Sequence, residues 1–334
     1  MKKLIFQAAF ILVFLALKPF FTAYQIHIAN MALINAIVAI ALGLVVGYTG
    51  QISIGHVGFF AIGAYASAVF TGTLHLPFWA GFLLAGVLSG AFGFLLGFPA
   101  LRLVGNYLAL VTLAFGGMVQ LILIQWDKVT HGPDGMIVLP PKLLGHTFGS
   151  AESVFYLIFG VFLVCLLFFR NIVDSHYGRA FKSIRSNELV AQSMGVNVYW
   201  LKLAVFAISA FWTGIAGALY GSFVLYISPD SFNIAESINF LTMVVIGGLG
   251  SVWGAVVGAV GLTFANDLLR GFNAWQEMAF GLLLLGSVIL MPRGIVGVAS
   301  DAYAWLKRGA NEAPAGAADE ATGGKDAGLV DPQD

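Results

Sequence analysis

Charge is absent from this chain over long distances. No Asp, Glu, Lys or Arg occurs between Pro19 and Leu101, from Leu103 to Trp126, from Ser153 to Phe169, from Leu203 to Pro229, from Ser237 to Asn266, or from Met278 to Pro292. Crossing the hydrocarbon of a bilayer takes ~20 apolar residues of helix, so each run has room for one or more spans. Membrane barrels show alternating segments of about ten residues, whereas these runs are continuous, so the spanning element is a helix. Apolar segments fall at 4–22, 27–47, 52–71, 78–98, 104–125, 153–169, 203–226, 236–249, 252–268 and 275–291. The expectation is an all-α, polytopic membrane protein of about ten transmembrane helices. The short pair 236–249 and 252–268 meets at VIGGLGSVWG and reads alternatively as one kinked helix, because glycine clusters both break and bend helices.

Composition agrees: of 334 residues 59% are hydrophobic and 10% charged, against about 25% charged in soluble domains. The positive-inside rule chooses the number of spans. Ten spans gather Lys2, Lys3, Arg102, Arg170, Arg179, Lys182, Arg185, Lys202, Arg293, Lys307, Arg308 and Lys325 on one face, leaving Lys18, Lys128, Lys142 and Arg270 on the other. Nine would expel Arg293, Lys307 and Arg308. Both termini are then cytoplasmic. The basic and apolar start, MKKLIFQAAFILVFLALKPFF, is followed by no small-residue cleavage site and is expected to be a retained first span. Residues 1–308 would form the transmembrane domain, and 309–334, rich in Ala, Gly and acids, a disordered cytoplasmic tail. The lone Cys165 lies in an apolar run, as a small packing residue.

Two hydrophilic connections remain. On the outer face WDKVTHGPDGMIVLPPKLLGHTFGSAES, with its HGPDG turn signal, is expected to be an irregular loop open to a soluble partner. The inner one, residues 170–202, reads RNIVDSHYGRAFKSIRSNELVAQSMGVNVYWLK. From Tyr177 to Val196 it predicts a short amphipathic helix at the membrane surface, with Ser186 or Asn187 as a cap before Glu188 and a stop at Gly195. Leu189, Val190 and Met194 share one face, and Arg179, Lys182 and Arg185 another. Charge alone is met equally well by a basic loop held on anionic lipid.

Glycines recur four apart at Gly43 and Gly47, Gly86 and Gly90, Gly93 and Gly97, and Gly254 and Gly258, a spacing that lets a neighbouring helix approach closely. The stretch GYTGQISIGHVGFFAIGAY, 47–65, exceeds that need. Its breaks, together with Thr49, Gln51 and Ser53, predict a bend inside the bundle whose freed backbone groups find partners other than lipid. His56 there is either a titrating or ligand-binding group or a neutral imidazole bonded between helices. No second histidine or paired carboxylate adjoins it in sequence, so neither a metal site nor a proton relay is indicated. Nor is there a G-x-x-x-x-G-K-[ST] phosphate loop.

The inner loop, GRAFKSIRSNELVAQSMG, resembles the coupling loop of bacterial ABC importer permeases of the branched-chain amino acid type, close to G-R-x-x-x-A-I-R-x-[DN]-E-x-A-A-x-x-x-G. It matches at Gly178, Arg179, Ile184, Arg185, Asn187, Glu188, Ala191 and Gly195. The broader importer signature E-A-A-x-x-x-G is met only at Ala191 and Gly195; Glu188 stands one place early and Val190 replaces the first Ala. The opening stretch is similar to the family's N-terminal signature at Gly50, Gln51, Ser53, Gly55, His56, Phe59, Gly63, Ala64 and Tyr65, and Val245 to Ala259 to its C-terminal one.

The resemblance implies a transmembrane permease subunit, of the M type, that moves branched-chain or similar amino acids across the bacterial inner membrane by alternating access. It implies no catalytic, cofactor or metal residues in this chain, with ATP held by two cytoplasmic ATPase subunits. The other expected partners are a second homologous permease, a periplasmic substrate-binding protein and membrane lipid; nucleic acid is not among them. Gly178, Arg179, Arg185, Glu188, Ala191 and Gly195 would carry the coupling. Gly50, Gln51, Ser53, Gly55, His56 and Gly58 would line the path or form a helix bend. A permease of this type for urea or short amides is an alternative reading. So is an ion-coupled secondary transporter, which also uses broken helices, although proton carriers place Asp, Glu, Lys or Arg inside spans and the apolar runs here have none of these.

Overall fold

The computed structural model describes residues 22–269 apart from 104, 144, 145 and 150, together with Met278, Gly281, Leu282, Leu285, Gly294 and Gly297. Helix α1, Ala23–Gly43, opens with a capping box in which the Thr22 hydroxyl and the Gln25 side chain bond each other's backbone N–H. Apolar on all sides, it is almost wholly buried, as befits a helix surrounded by others. It widens into a π-helical turn, Leu44–Tyr48. After an irregular stretch, α2 runs His56–Gly72, α3 Phe78–Ala100 and α4 Asn106–Gln125. A single short turn α5, Asp127–Thr130, precedes α6, Ala151–Asp174. The loop pair α7, His176–Ser186, and α8, Glu188–Ser193, leads to α9, Val198–Val224, then α10, Ile234–Gly247, and α11, Val252–Leu269. Six of the described helices are long and apolar enough to cross a membrane. Each predicted segment from 27–47 to 252–268 is met by a helix; the expected tail and all but a few residues of 4–22 and 275–291 lie outside the described residues.

The second central helix is α9, and glycine sets how closely its neighbours lie. A Cβ at Gly63 of α2 would overlap the Gly214 carbonyl of α9, and one at Gly217 the Phe60 carbonyl. Along α3, Gly86, Gly90, Gly93 and Gly97 face Ile215, Phe211, Ala210 and Leu203 of α9. The four-residue spacing is therefore a packing seam, as the sequence predicts. Cys165 is fully buried.

Between 234 and 269 the kinked-helix alternative is not adopted. Gly248 and Gly250 have φ of 116° and 88°, a region open to glycine, and the chain reverses there into a helical hairpin. Backbone meets backbone across it, since Cβ atoms at Gly247 and Gly258 would overlap the carbonyls of Gly254 and Met243. The 14 residues of α10 extend about 21 Å, short of the ~30 Å hydrocarbon.

The 126–150 connection is less irregular than expected. Strand β1, Met136–Ile137, pairs antiparallel with β4, Tyr226–Ile227, just beyond α9, and β2, Lys142–Leu143, with β3, His146–Thr147. The first pair ties the loop to the end of α9, helped by the Tyr226 hydroxyl donating to the Asp134 carbonyl at 2.9 Å.

Candidate coupling site and the helix break

The loop helix divides in two at Asn187. With φ −161° and ψ 115° this residue is extended, and its side chain accepts from the N–H groups of Leu189 and Val190 at 3.0 and 3.2 Å. Asn187 is thus the cap the sequence offers for Glu188, but it ends α7 as well. The buried face is not the one that Leu189, Val190 and Met194 mark. Phe181, Ile184 and Ala191 are buried, Ile184 and Ala191 packing with Val198 at the foot of α9. Leu189, Val190 and Met194 are instead 74, 58 and 80% exposed.

Two of the basic residues, Lys182 and Arg185, reach the end of the first span. The Arg185 guanidinium donates to the Gly47 carbonyl in the π-helical turn that ends the first span, where carbonyls lack helical partners and the dipole favours a cation. Thr49 occupies another of these, its hydroxyl donating to Val45 O at 2.7 Å. Lys182 places its ammonium 5.9 Å from the centroid of the Tyr48 ring, a cation–π contact. Gly250, in the α10–α11 turn, lies so close to Gly47 that a Cβ on Gly47 would stand 2.6 Å from its N, and a Cβ on Gly250 3.1 Å from an Arg185 nitrogen. One arginine therefore touches both glycine breaks, the end of α1 and the hairpin turn. The cleft around it, about 490 Å³, is lined by Gly47, Tyr48, Lys182, Arg185, Ser186, Leu249 and Gly250.

The other loop residues have plain local roles. Gly178 is required where α6 turns into α7, since a Cβ would overlap the Val173 backbone. Arg179 is exposed. Glu188 opens α8 and pairs with Lys202 at the start of α9, favourable for the α8 dipole. Gly195 has φ 81° and its N–H bonds Gln192 O at 2.9 Å, a left-handed stop after α8.

Residues 50–55, between the π-helical turn and α2, are irregular, and side chains from two distant helices bond the backbone of Ile54. Ile54 N–H donates to Thr112 Oγ1 of α4 at 3.0 Å, and its carbonyl accepts from the Ser237 hydroxyl of α10. This is how irregular backbone is tolerated inside a bundle. Gly50, at φ 73°, lies 3.5 Å in Cβ reach of the Arg185 side chain. Gly55 and Gly58 abut Thr112 and Phe115 of α4. Gln51 is 3% exposed, and neither end of its side-chain amide has a partner among the described residues.

His56, 1% exposed, sits in a chain of bonds linking three helices. Ser209 Oγ of α9 spends its proton on the Ala41 carbonyl of α1 at 2.7 Å, so toward His56 Nε2, at 2.8 Å, it can only accept. The proton is therefore on Nε2, and Nδ1 accepts from the Ser53 hydroxyl at 3.0 Å. The arrangement is the neutral imidazole bonded between helices. Replacing it by leucine is expected to cost about 1–3 kcal/mol, because hydroxyls lose buried partners; the thermal midpoint of the purified protein measures this, and an unshifted midpoint would show that they re-pair.

Thr112, Ser209 and Ser237 escape the sequence reading. They lie 58, 153 and 183 residues from their partners, and a lone hydroxyl in a span has no spacing that marks it. Among the described residues no group of three His, Cys, Asp or Glu stands close enough to hold a metal ion.

Residues 24–291 match the family described as branched-chain amino acid transport system, permease component. The chain belongs to this permease family. The permease is 34% identical over 319 residues to the high-affinity branched-chain amino acid transport system permease protein LivM of Salmonella typhimurium, an alignment covering 88% of this chain and 75% of LivM. It is 33% identical to LivM of Escherichia coli over the same shares. LivH of Salmonella typhimurium is 27% identical over 285 residues, 78% of this permease and 91% of LivH. No solved structure matches it.

Proposed function

We propose that this permease is one membrane subunit of an ATP-driven importer of branched-chain or similar amino acids in a bacterial inner membrane. The observation that carries the reading is the seating of Arg185 between the end of α1 and the α10–α11 turn. A push on the α7–α8 pair reaches both glycine breaks at once. The exposed Leu189, Val190 and Met194 on its other side form the surface that an ATPase grips, and ATP is bound by two such partner subunits rather than by this chain. A second, homologous permease completes the membrane unit, and a periplasmic binding protein delivers substrate at the far end, beside the 126–150 loop. Lipid covers the remaining apolar faces.

In this reading the face bearing α7 and α8 is cytoplasmic, in keeping with the basic residues there, and ten spans bring both termini to it. The 50–58 break is the hinge. Its buried Gln51 amide, unpartnered among the described residues, supports that role, since a group left unsatisfied costs about 1–3 kcal/mol and favours a state in which it finds a partner.

Glu188→Lys tests the coupling role. It sets two ammonium groups against each other at the α8–α9 joint and reverses a favourable charge at the α8 N-terminus. In the complete complex, uptake is expected to fall at least about fivefold with ATP hydrolysis retained, a loss of ~1 kcal/mol in coupling. Uptake equal to wild type would remove Glu188 from the coupling helix.

A further inference from the structure

At the end of the bundle opposite α7 and α8 lies a cavity of about 380 Å³ between α1, α10 and α11. Its size falls within the range of small-molecule sites, and its walls have two characters. Phe60, Met243 and Leu262 are apolar lining. Among the polar lining, Asn239 Nδ2 donates to Glu236 Oε2 at 3.2 Å and Asn35 Nδ2 to Thr263 Oγ1 at 3.1 Å. Each amide nitrogen keeps a second N–H to give.

Glu236 is the residue that calls for a ligand. It is half-buried in the first turn of α10, and none of the described lining side chains is Lys or Arg; the other titratable ones are His27 and Asp267, whose carboxylate accepts from the Tyr24 hydroxyl at 2.6 Å. A carboxylate set into a membrane protein is stabilised by a cation or an ammonium. The Asn239 amide supplies one hydrogen bond and no charge.

We propose that this cavity is a way-station for an aliphatic α-amino acid, with the ammonium on Glu236, the carboxylate on the spare N–H groups of Asn35 and Asn239, and the side chain toward Phe60, Met243 and Leu262. This rests on the importer reading above. It adds that one permease subunit holds the substrate within its own helices.

The test is binding of labelled leucine to the purified full-length permease in lipid nanodiscs, competed by isoamylamine, which lacks the carboxylate, and isocaproate, which lacks the ammonium. Saturable leucine binding is expected, with isoamylamine competing and isocaproate not. Glu236→Gln, which keeps the shape and the Asn239 contact, is expected to weaken leucine binding about tenfold or more. Competition within the wild-type protein needs no variant and decides the matter if Glu236→Gln fails to fold. No saturable leucine binding, equal competition by isocaproate, or unchanged affinity in a folded Glu236→Gln would overturn the site. So would binding of the amine alone, which would leave a cation site. ATP-dependent uptake by the complete complex separates the two readings: wild-type uptake with no change of KM in Glu236→Gln sinks the cavity alone, and absence of amino-acid uptake in any form sinks the importer.

Discussion

Arg185→Ala is expected to leave the permease folded in the membrane while lowering leucine uptake by the complete complex about tenfold or more, with ATP hydrolysis continuing. The side chain is exposed on the loop and its removal opens no core cavity, so stability changes little. What is lost is the bond to Gly47 O and the contact with Gly250. That bond is what holds the loop against both breaks, and its loss uncouples the loop from them together. Arg185→Lys keeps the charge but not the span of the guanidinium and is expected to recover only part of the rate. Paired assays of uptake and ATP hydrolysis in proteoliposomes read both quantities. Full uptake in Arg185→Ala would show that force reaches the spans elsewhere.

Gly55→Ala and Gly58→Ala are expected to differ although they lie three residues apart. At Gly55 a Cβ would overlap the backbone carbonyl of Thr112, with its carbon at 2.7 Å. Backbone cannot step aside, so α2 and α4 must separate, which also pulls Ile54 from Thr112. The cost is expected at or above the top of the ~1–3 kcal/mol range for overpacking. At Gly58 the nearest atoms belong to the Phe115 ring, 2.9 Å away, and a ring edge yields by a small rotation. Thermal midpoints and monodisperse yield of the two proteins should rank Gly55→Ala well below Gly58→Ala. Equal values would mean that the α2–α4 contact is softer than its geometry.

Much of this architecture was legible in the sequence, for identifiable reasons. Charge-free runs give spans because lipid excludes charge, and the glycine pairs on α3 give a seam because four residues make one turn. Asn187 was legible as a cap, since its side chain acts on the next turn of chain. The direction of the loop faces was not. Periodicity states that Arg179, Lys182 and Arg185 share a side, but not that Lys182 and Arg185 turn toward Tyr48 and Gly47, more than 130 residues back. Nor could VIGGLGSVWG decide between kink and hairpin, because the decision lies in whether Gly247 and Gly258 have backbone to meet. The sequence is compatible with two roles for His56; Ser209 and Ala41, from distant helices, supply the partners that fix its tautomer.

The central claim is that an ATPase subunit sits on the outward side of the α7–α8 pair. Cys165 is buried, so a cysteine placed at the surface is the reactive one. Met194→Cys, at an 80% exposed position on that side, and Ile137→Cys, at an 82% exposed position at the other end, are each treated in the assembled complex with a short thiol–amine crosslinker. A covalent adduct with the ATPase from position 194 and none from 137 is the predicted result. An adduct from 137, or none from 194 in a complex that still hydrolyses ATP and transports, would contradict it.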